Sequence, residues 1–128
     1  MQINKVVAKF KNGSIKKGTT SDFFPNKAIF HLKSATGEIL DINIEELKAV
    51  YFVKTFEGNK GRMDTYTDDV PGGGRKVQVK FSDGEMLIGY TQGYSPTRSG
   101  FFVIPADLKN NNDRIYVIAS ATEKVSFL

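Results

Sequence analysis

The residues best suited to bind a ligand lie in the stretch "GYSPTRSG" at positions 93–100. Tyr94 and Arg98 flank a Ser-Pro pair, where a tyrosine ring can stack on a ligand and a guanidinium can hold a carboxylate or a phosphate through paired hydrogen bonds. The same stretch also has a structural interpretation, in which the tyrosine hydroxyl ties the loop to backbone and the arginine forms an ion pair with Asp107 or Asp113. The sequence leaves both interpretations open.

Residues that would support catalysis or metal binding are scarce. His31 is the single histidine, and in an alternating stretch it falls on the face opposite Phe30 and Leu32, so we interpret it as a surface residue rather than a catalytic base. The chain has no cysteine, and no serine or lysine has an evident activating partner. Asp68 and Asp69 are adjacent, but the alternating oxygen ligands of a calcium loop do not follow them. We therefore expect a protein that is not an enzyme and has no cofactor and no metal site.

Lysines near the N-terminus offer a second kind of surface. If the "NG" pair at 12–13 forms a two-residue turn, Lys9 lies directly across a hairpin from Lys16. Like charges in such positions destabilise a hairpin, which indicates either an external anion or an edge that repels other strands. Lysines combined with aromatic rings suit a single-stranded nucleic acid. The residues of this predicted surface are Lys9, Lys16, Lys17, Phe23 and Phe24.

An internal duplication supplies the elements that must position these side chains. The stretch "KVVAKFKNGSIKKGTT" at 5–20 matches "KVQVKFSDGEMLIGYT" at 76–91, with Lys, Val, Lys, Phe, Gly, Gly and Thr recurring at one constant offset. In the same way "KAVYFV" at 48–53 matches "EKVSFL" at 123–128. A chain that repeats itself in this way is expected to contain two copies of one structural unit.

The two predicted units are built from strands. Apolar and polar residues alternate after the start of each unit, and "NG" and "DG" pairs mark tight turns. About five strands are expected in each unit, and no segment has the length and periodicity of a helix. We predict a first unit at 1–53, a linker or loop rich in Gly, Asp and Pro at 54–74, and a second unit at 75–128.

Paired glycines indicate the type of unit. Gly13 and Gly18 have the same spacing as Gly84 and Gly89, and a glycine inside a strand lets a small barrel bend sharply. This spacing resembles the first half of an Sm-like, SH3-type small barrel. The stretch "SDFFPNKAIF" is similar to the Sm-like succession of an acidic residue, an aromatic residue, an asparagine and an apolar strand, which adds Asn26 to the candidate residues. The resemblance implies an all-β fold of two tandem five-stranded Sm-like or SH3-like small barrels, formed by internal duplication and packed through apolar strand faces.

The second half carries a separate resemblance. The stretch "GYTQGYSPTRSGFFVIPADLKNNNDRIYVI" resembles an uncharacterised bacterial domain with the pattern GYSP, GFF, PAD and NN followed by RI and V. That domain is found beside regulatory modules in some proteins. The resemblance brings no established activity with it.

Composition limits the function further. The formal charge is +4, but 18 basic residues are interspersed with 14 acidic ones, so no single sign dominates the surface. The lack of cysteine and of a long apolar run predicts a cytoplasmic protein without membrane contact. We expect a non-catalytic binding or adaptor module that contacts another protein. The alternative is binding of single-stranded nucleic acid, such as RNA, through the lysines and aromatic residues named above.

Overall fold

The structure, a computed structural model, describes residues 3–58 and 65–128. The described residues form ten strands, two short 3-10 turns and no α-helix, so the all-β prediction is confirmed. No helix in these residues could cross a membrane. The strands are β1 Asn4–Phe10, β2 Ile15–Thr20, β3 Ile29–Lys33, β4 Ile39–Asn43, β5 Leu47–Val53, β6 Arg75–Phe81, β7 Met86–Thr91, β8 Gly100–Pro105, β9 Asn112–Ile118 and β10 Thr122–Phe127. The 3-10 turns, Ile44–Glu46 and Ala119–Ala121, precede the last strand of each half.

All ten strands belong to one open antiparallel sheet. Its order is β10, β6, β7, β8, β9, β5, β1, β2, β3, β4. Each half of the chain contributes the same order of strands, with its fifth strand beside its first and its fourth strand at the other end. The halves join edge to edge, because β5 pairs with β9 from Ala49–Val117 to Val53–Asn112. The sequence predicted contact between strand faces, and the structure adds this shared edge.

Strand β5 is buried along its whole length and separates two apolar clusters. Side chains alternate along a strand, so Val50 and Phe52 face the first cluster while Ala49, Tyr51 and Val53 face the second. Each cluster takes residues from both halves. The second half of the chain contributes three buried residues to the first cluster: Tyr116, Ile118 and Ala121. The first half contributes four to the second cluster: Val7, Ala49, Tyr51 and Val53. The two halves therefore stabilise each other through a shared core.

The first hairpin differs from the sequence prediction by one residue. The amide of Phe10 donates to the carbonyl of Ser14 at 2.9 Å, which leaves three residues in the loop, and Gly13 takes a positive φ of 90°. As a result, Lys9 pairs with Ile15, and Lys16 pairs with Ala8. The expectation that Lys9 faces Lys16 is wrong, because a shift of one residue moves a side chain to the other face of the sheet.

Two glycines at equivalent positions in the two halves allow the backbone of the neighbouring strand to approach closely. A side-chain carbon on Gly18 would lie 2.3 Å from the carbonyl oxygen of Lys33, and one on Gly89 would lie 2.3 Å from that of Ile104. These distances are far below van der Waals contact. The close approach of the neighbouring strand therefore requires glycine at both positions.

An ion pair between a buried lysine and two partly exposed carboxylates links the first half to the second. Lys48 on β5 is 8% exposed, and its Nζ lies 2.7 Å from Oδ2 of Asp83 and also contacts Glu85. The hydroxyl of Tyr51 donates to the same glutamate at 3.2 Å. Burial alone would lower the pKa of Lys48, but hydrogen bonds to Asp83 and Glu85 outweigh it and raise the pKa. The lysine therefore stays charged inside the junction.

Candidate binding cleft

A cleft of about 650 Å³ lies beside the loop at 92–99. Its walls are mostly aromatic or aliphatic and include Tyr90, Phe102, Ile104 and Tyr116, while Asn26 approaches from the first half. We name it the Arg98 cleft, because Arg98 is the one charged side chain among the described residues that line it. A concave, largely apolar surface with few polar groups is typical of a binding site.

The Arg98 cleft opens where two neighbouring strands separate. Strands β7 and β8 pair at Gly89–Pro105 and Tyr90–Ile104, and toward the loop they diverge. The Thr91 hydroxyl bridges the gap by donating to the carbonyl of Phe102 at 2.7 Å. The sequence thus forms a cleft locally by placing the long "QGYSPTRS" loop between two strands of one sheet.

Gly100 makes room for the aromatic wall of the cleft. A side-chain carbon at this position would lie 2.6 Å from ring atoms of Tyr116. The tyrosine ring therefore lies directly against the β8 backbone. Burial raises the pKa of Tyr116, and a hydrogen bond with Ser99 and the charge of Arg98 lower it in part. The phenol remains protonated at neutral pH and keeps a polar hydroxyl near the guanidinium.

Arg98 is exposed and has little internal bonding. Its Nη1 donates to the carbonyl of Gly93 at 3.3 Å, and it forms no ion pair within residues 3–58 and 65–128. The proposed structural partners are engaged elsewhere. Asp107 accepts hydrogen bonds from the amides of Thr65 and Lys109, and Asp113 lies 4.0 Å from the ammonium group of Lys54. The guanidinium thus retains donors that can face a ligand.

Tyr94 has a different environment from Arg98. Its ring packs edge-on against Phe101 with centroids 4.9 Å apart, and against Phe127 at 5.5 Å. It is half-buried and faces a smaller pocket of about 220 Å³ next to the Arg98 cleft, together with Arg75. Tyr94 thus fastens the loop to β8 and β10 through its ring, whereas the structural interpretation assigned this role to its hydroxyl.

The candidate residues of the first half separate into core and surface. The ring of Phe23 packs edge-on against Phe30 at 5.2 Å and Tyr116 at 5.3 Å, which leaves it little surface for a ligand. Phe24 is 46% exposed and stacks beneath the ammonium group of Lys27 at 5.0 Å. Asn26 lines the Arg98 cleft, so the structure brings this residue and Arg98 together from the two halves.

The candidate lysines do not share one surface. Lys9 lies over the ring of Tyr51 at 4.4 Å, and Lys17 donates to the carbonyl of Phe56 at 3.2 Å. Lys17 pairs with Val7 and so points to the same face of the sheet as Val7. Lys9 also points to that face, because it lies two residues after Val7 in β1. Lys16 is exposed on the opposite face. A nucleic-acid strand would therefore not meet the three charges on one track.

His31 lies on the surface, as the alternation predicted. Its Nδ1 is 2.6 Å from Oδ2 of Asp22, and its Nε2 is 3.4 Å from Oδ1 of Asp41. The hydrogen bond with Asp22 raises the pKa of this exposed imidazole. Within the described parts of the chain, no group of three or more His, Cys, Asp or Glu side chains is arranged to hold a metal ion.

Sequence reasoning missed the walls of the cleft. Tyr116 lies in the strand "DRIYVI", where its alternation with apolar neighbours predicts a strand but not which partner its ring contacts. Tyr90 follows Gly89 in β7, and its hydroxyl donates to Oδ1 of Asp69 at 3.3 Å beside the cleft. The one available signal was Gly100, a glycine at the start of a strand that marks a close approach.

The protein is all-β, with two equivalent sets of five strands that share two apolar clusters and border one cleft. The chain belongs to the family of unknown function DUF6982, whose sequence profile matches residues 2–128. Comparison with curated proteins and with solved structures gave no match.

Proposed function

We propose that the protein is a non-catalytic binding module that captures another protein through the Arg98 cleft. The observation that carries this proposal is an exposed guanidinium at the rim of a largely apolar cleft of about 650 Å³. Aromatic walls supply contact area, and an arginine with spare donors supplies direction; both residue types dominate binding energy at protein interfaces. The module acts in the cytoplasm, an assignment that the absence of cysteine supports.

We extend the proposal to the architecture of each half, as a small Sm-like or SH3-like barrel. The support is the repeated strand order, in which the fifth strand of each half lies beside its first. The close approach of neighbouring strands at Gly18 and Gly89 also supports the proposal, because a small barrel needs strongly curved strands. Small barrels commonly present loops and sheet edges to partner chains.

A protein partner fits the cleft better than a nucleic acid does. Binding of a nucleic-acid backbone requires several positive charges along one groove. Here Lys16 lies on the other face of the sheet from Lys9 and Lys17, and the described residues that line the cleft include a single cation. This charge distribution supports a short apolar segment of a partner protein as the occupant.

Site-specific photo-crosslinking tests the proposal. A photo-reactive amino acid in place of Gln92, which lines the cleft, should crosslink to a protein in extracts of the native host. The same group in place of Met86, which is 42% exposed on a distant hairpin, serves as the matched control and should give no such product. Equal products from both positions, no protein product from Gln92, or a nuclease-sensitive product from Gln92 would contradict the proposal.

A further inference from the structure

We infer that the segment held in the Arg98 cleft is an extended stretch of a partner protein in which an acidic side chain adjoins a bulky apolar one, with the carboxylate paired to Arg98. This inference rests on the proposed binding function and specifies the chemistry of the occupant. Three features of the cleft carry it: its charge, its walls and the direction of its backbone groups.

The charge of the cleft favours a singly charged anion. Arg98 supplies a planar fork of donors, of which one contacts the carbonyl of Gly93. The hydroxyls of Ser99 and Tyr116 lie beside it as further polar groups in the lining. A carboxylate matches one guanidinium in charge and in geometry, whereas a phosphate dianion in an apolar cleft would retain uncompensated charge.

The walls next to Arg98 favour a bulky apolar side chain. Tyr90, Phe102 and Ile104 line the cleft, and its volume lies within the range of sites that enclose a ligand of several side chains. No acidic side chain lines the described part of the cleft, and the nearby Asp69 carboxylate already accepts a hydrogen bond from the Tyr90 hydroxyl. An acidic residue beside a leucine- or phenylalanine-like residue would satisfy both parts of the surface.

The backbone of β8 favours an extended segment. The amide of Ala119 donates to the carbonyl of Ser99 at 2.9 Å, which shows that alternate residues of β8 direct their hydrogen-bonding groups toward β9. The groups of Gly100 and Phe102 consequently point the other way, toward the cleft. The Phe102 carbonyl accepts from the Thr91 hydroxyl, in agreement with this direction. An extended peptide can align with this stretch of backbone.

The experiment is selection of a displayed library of random heptapeptides on the full-length protein, with sequencing of the enriched peptides. We expect enrichment of Asp or Glu next to a large apolar residue. Arg98→Gln should remove the acidic preference, and Arg98→Glu should replace it with a preference for Lys or Arg. Affinity of a selected acidic peptide should fall roughly tenfold or more in Arg98→Gln, because a charge-assisted hydrogen bond is lost. Lys16→Glu, a charge change at an exposed residue that does not line the cleft, should leave the preference unchanged.

The outcomes separate the inference from the proposed function. Enriched peptides that crosslink at Gln92 but show no acidic preference, or a preference that Arg98→Glu leaves unaltered, would overturn the inference and leave the binding function standing. A library without any enriched peptide, or with peptides that crosslink only outside the cleft, would overturn both. Circular dichroism of each variant confirms that the fold is retained, as expected for exposed side chains.

Discussion

Tyr94 and Arg98 are close in sequence but have different environments. The tyrosine ring is packed between Phe101 and Phe127, and the guanidinium is exposed beside the cleft. A loop can therefore combine an anchor with a contact residue. The anchor holds the loop in place, so that the arginine faces the cleft with part of its conformational freedom already lost.

This division predicts opposite effects of two alanine substitutions. Tyr94→Ala should lower the free energy of unfolding by about 2 kcal/mol, because it removes a half-buried ring from two aromatic contacts. Arg98→Ala should change it by less than about 0.5 kcal/mol, since the side chain is exposed. Urea unfolding of both variants measures these values, and Tyr94→Phe is the control that keeps the ring. Equal destabilisation by both alanine variants would show that Arg98 also supports the loop.

At the scale of elements, β5 of the first half contacts the DG turn of the second half. The side chain of Lys48 on β5 contacts Asp83 and Glu85 at this turn, and its ammonium group lies 4.7 Å from the centre of the Phe81 ring. A hydrogen bond with Lys48 is the main reason for the lowered pKa of Asp83. The lysine is buried, whereas both carboxylates are partly exposed.

This difference in burial predicts that removing the carboxylates lowers the free energy of unfolding more than removing the lysine does. Asp83→Asn combined with Glu85→Gln leaves a charged lysine in a buried position, and we expect a loss of about 1–2 kcal/mol of unfolding free energy. Lys48→Met removes the buried charge and keeps an apolar contact, while water solvates the two carboxylates, so the loss should be smaller. Chemical denaturation of the two variants at neutral pH compares them. A larger loss in Lys48→Met would mean that attraction within the pair exceeds the penalty for burying the charge.

Strand positions could be predicted from the sequence because they depend on local alternation and turns. "KAVYFV" is a short apolar run and forms most of β5, and both duplicated hairpins formed. The register of the first hairpin could not be predicted, since "NG" is compatible with loops of two or three residues. The cleft was harder still. Asn26 and Arg98 approach each other only after β5 and β9 have paired, and no local pattern encodes that contact.

At the scale of the whole molecule, the β5–β9 junction leaves two outer strands, β4 and β10. The last 3-10 turn and strand of each half match in order, so β4 is equivalent to β9 and β10 is equivalent to β5. Asp41 stands where the second half has Tyr116, and Lys124 stands where the first half has Ala49. If β10 of one chain paired with β4 of another in the way that β5 pairs with β9, Asp41 and Lys124 would lie where the internal junction has side chains of the apolar clusters.

We predict that Asp41→Tyr combined with Lys124→Ala makes the chains associate. The two changes restore the residue types of the internal junction at both outer strands, and a head-to-tail contact of this kind does not have to close on itself. Sedimentation velocity over a range of concentrations should show growing species for the double variant. Asp41→Asn with Lys124→Gln, which keeps polar side chains, is the control and should not associate further. A double variant that sediments like the unmodified chain would contradict the equivalence of the edges.

The β5–β9 junction also determines how many Arg98 clefts each chain has. The Arg98 cleft needs Asn26 from the first half beside the diverging strands of the second, and this arrangement occurs at the β5–β9 junction. At the corresponding position of the first half, Asp41 replaces the Tyr116 wall and Ile29 replaces Gly100. If the cleft binds as proposed, each chain would offer one such site, so that partner and protein would meet in a one-to-one ratio without avidity. Duplication here would create one composite site from two copies instead of two sites.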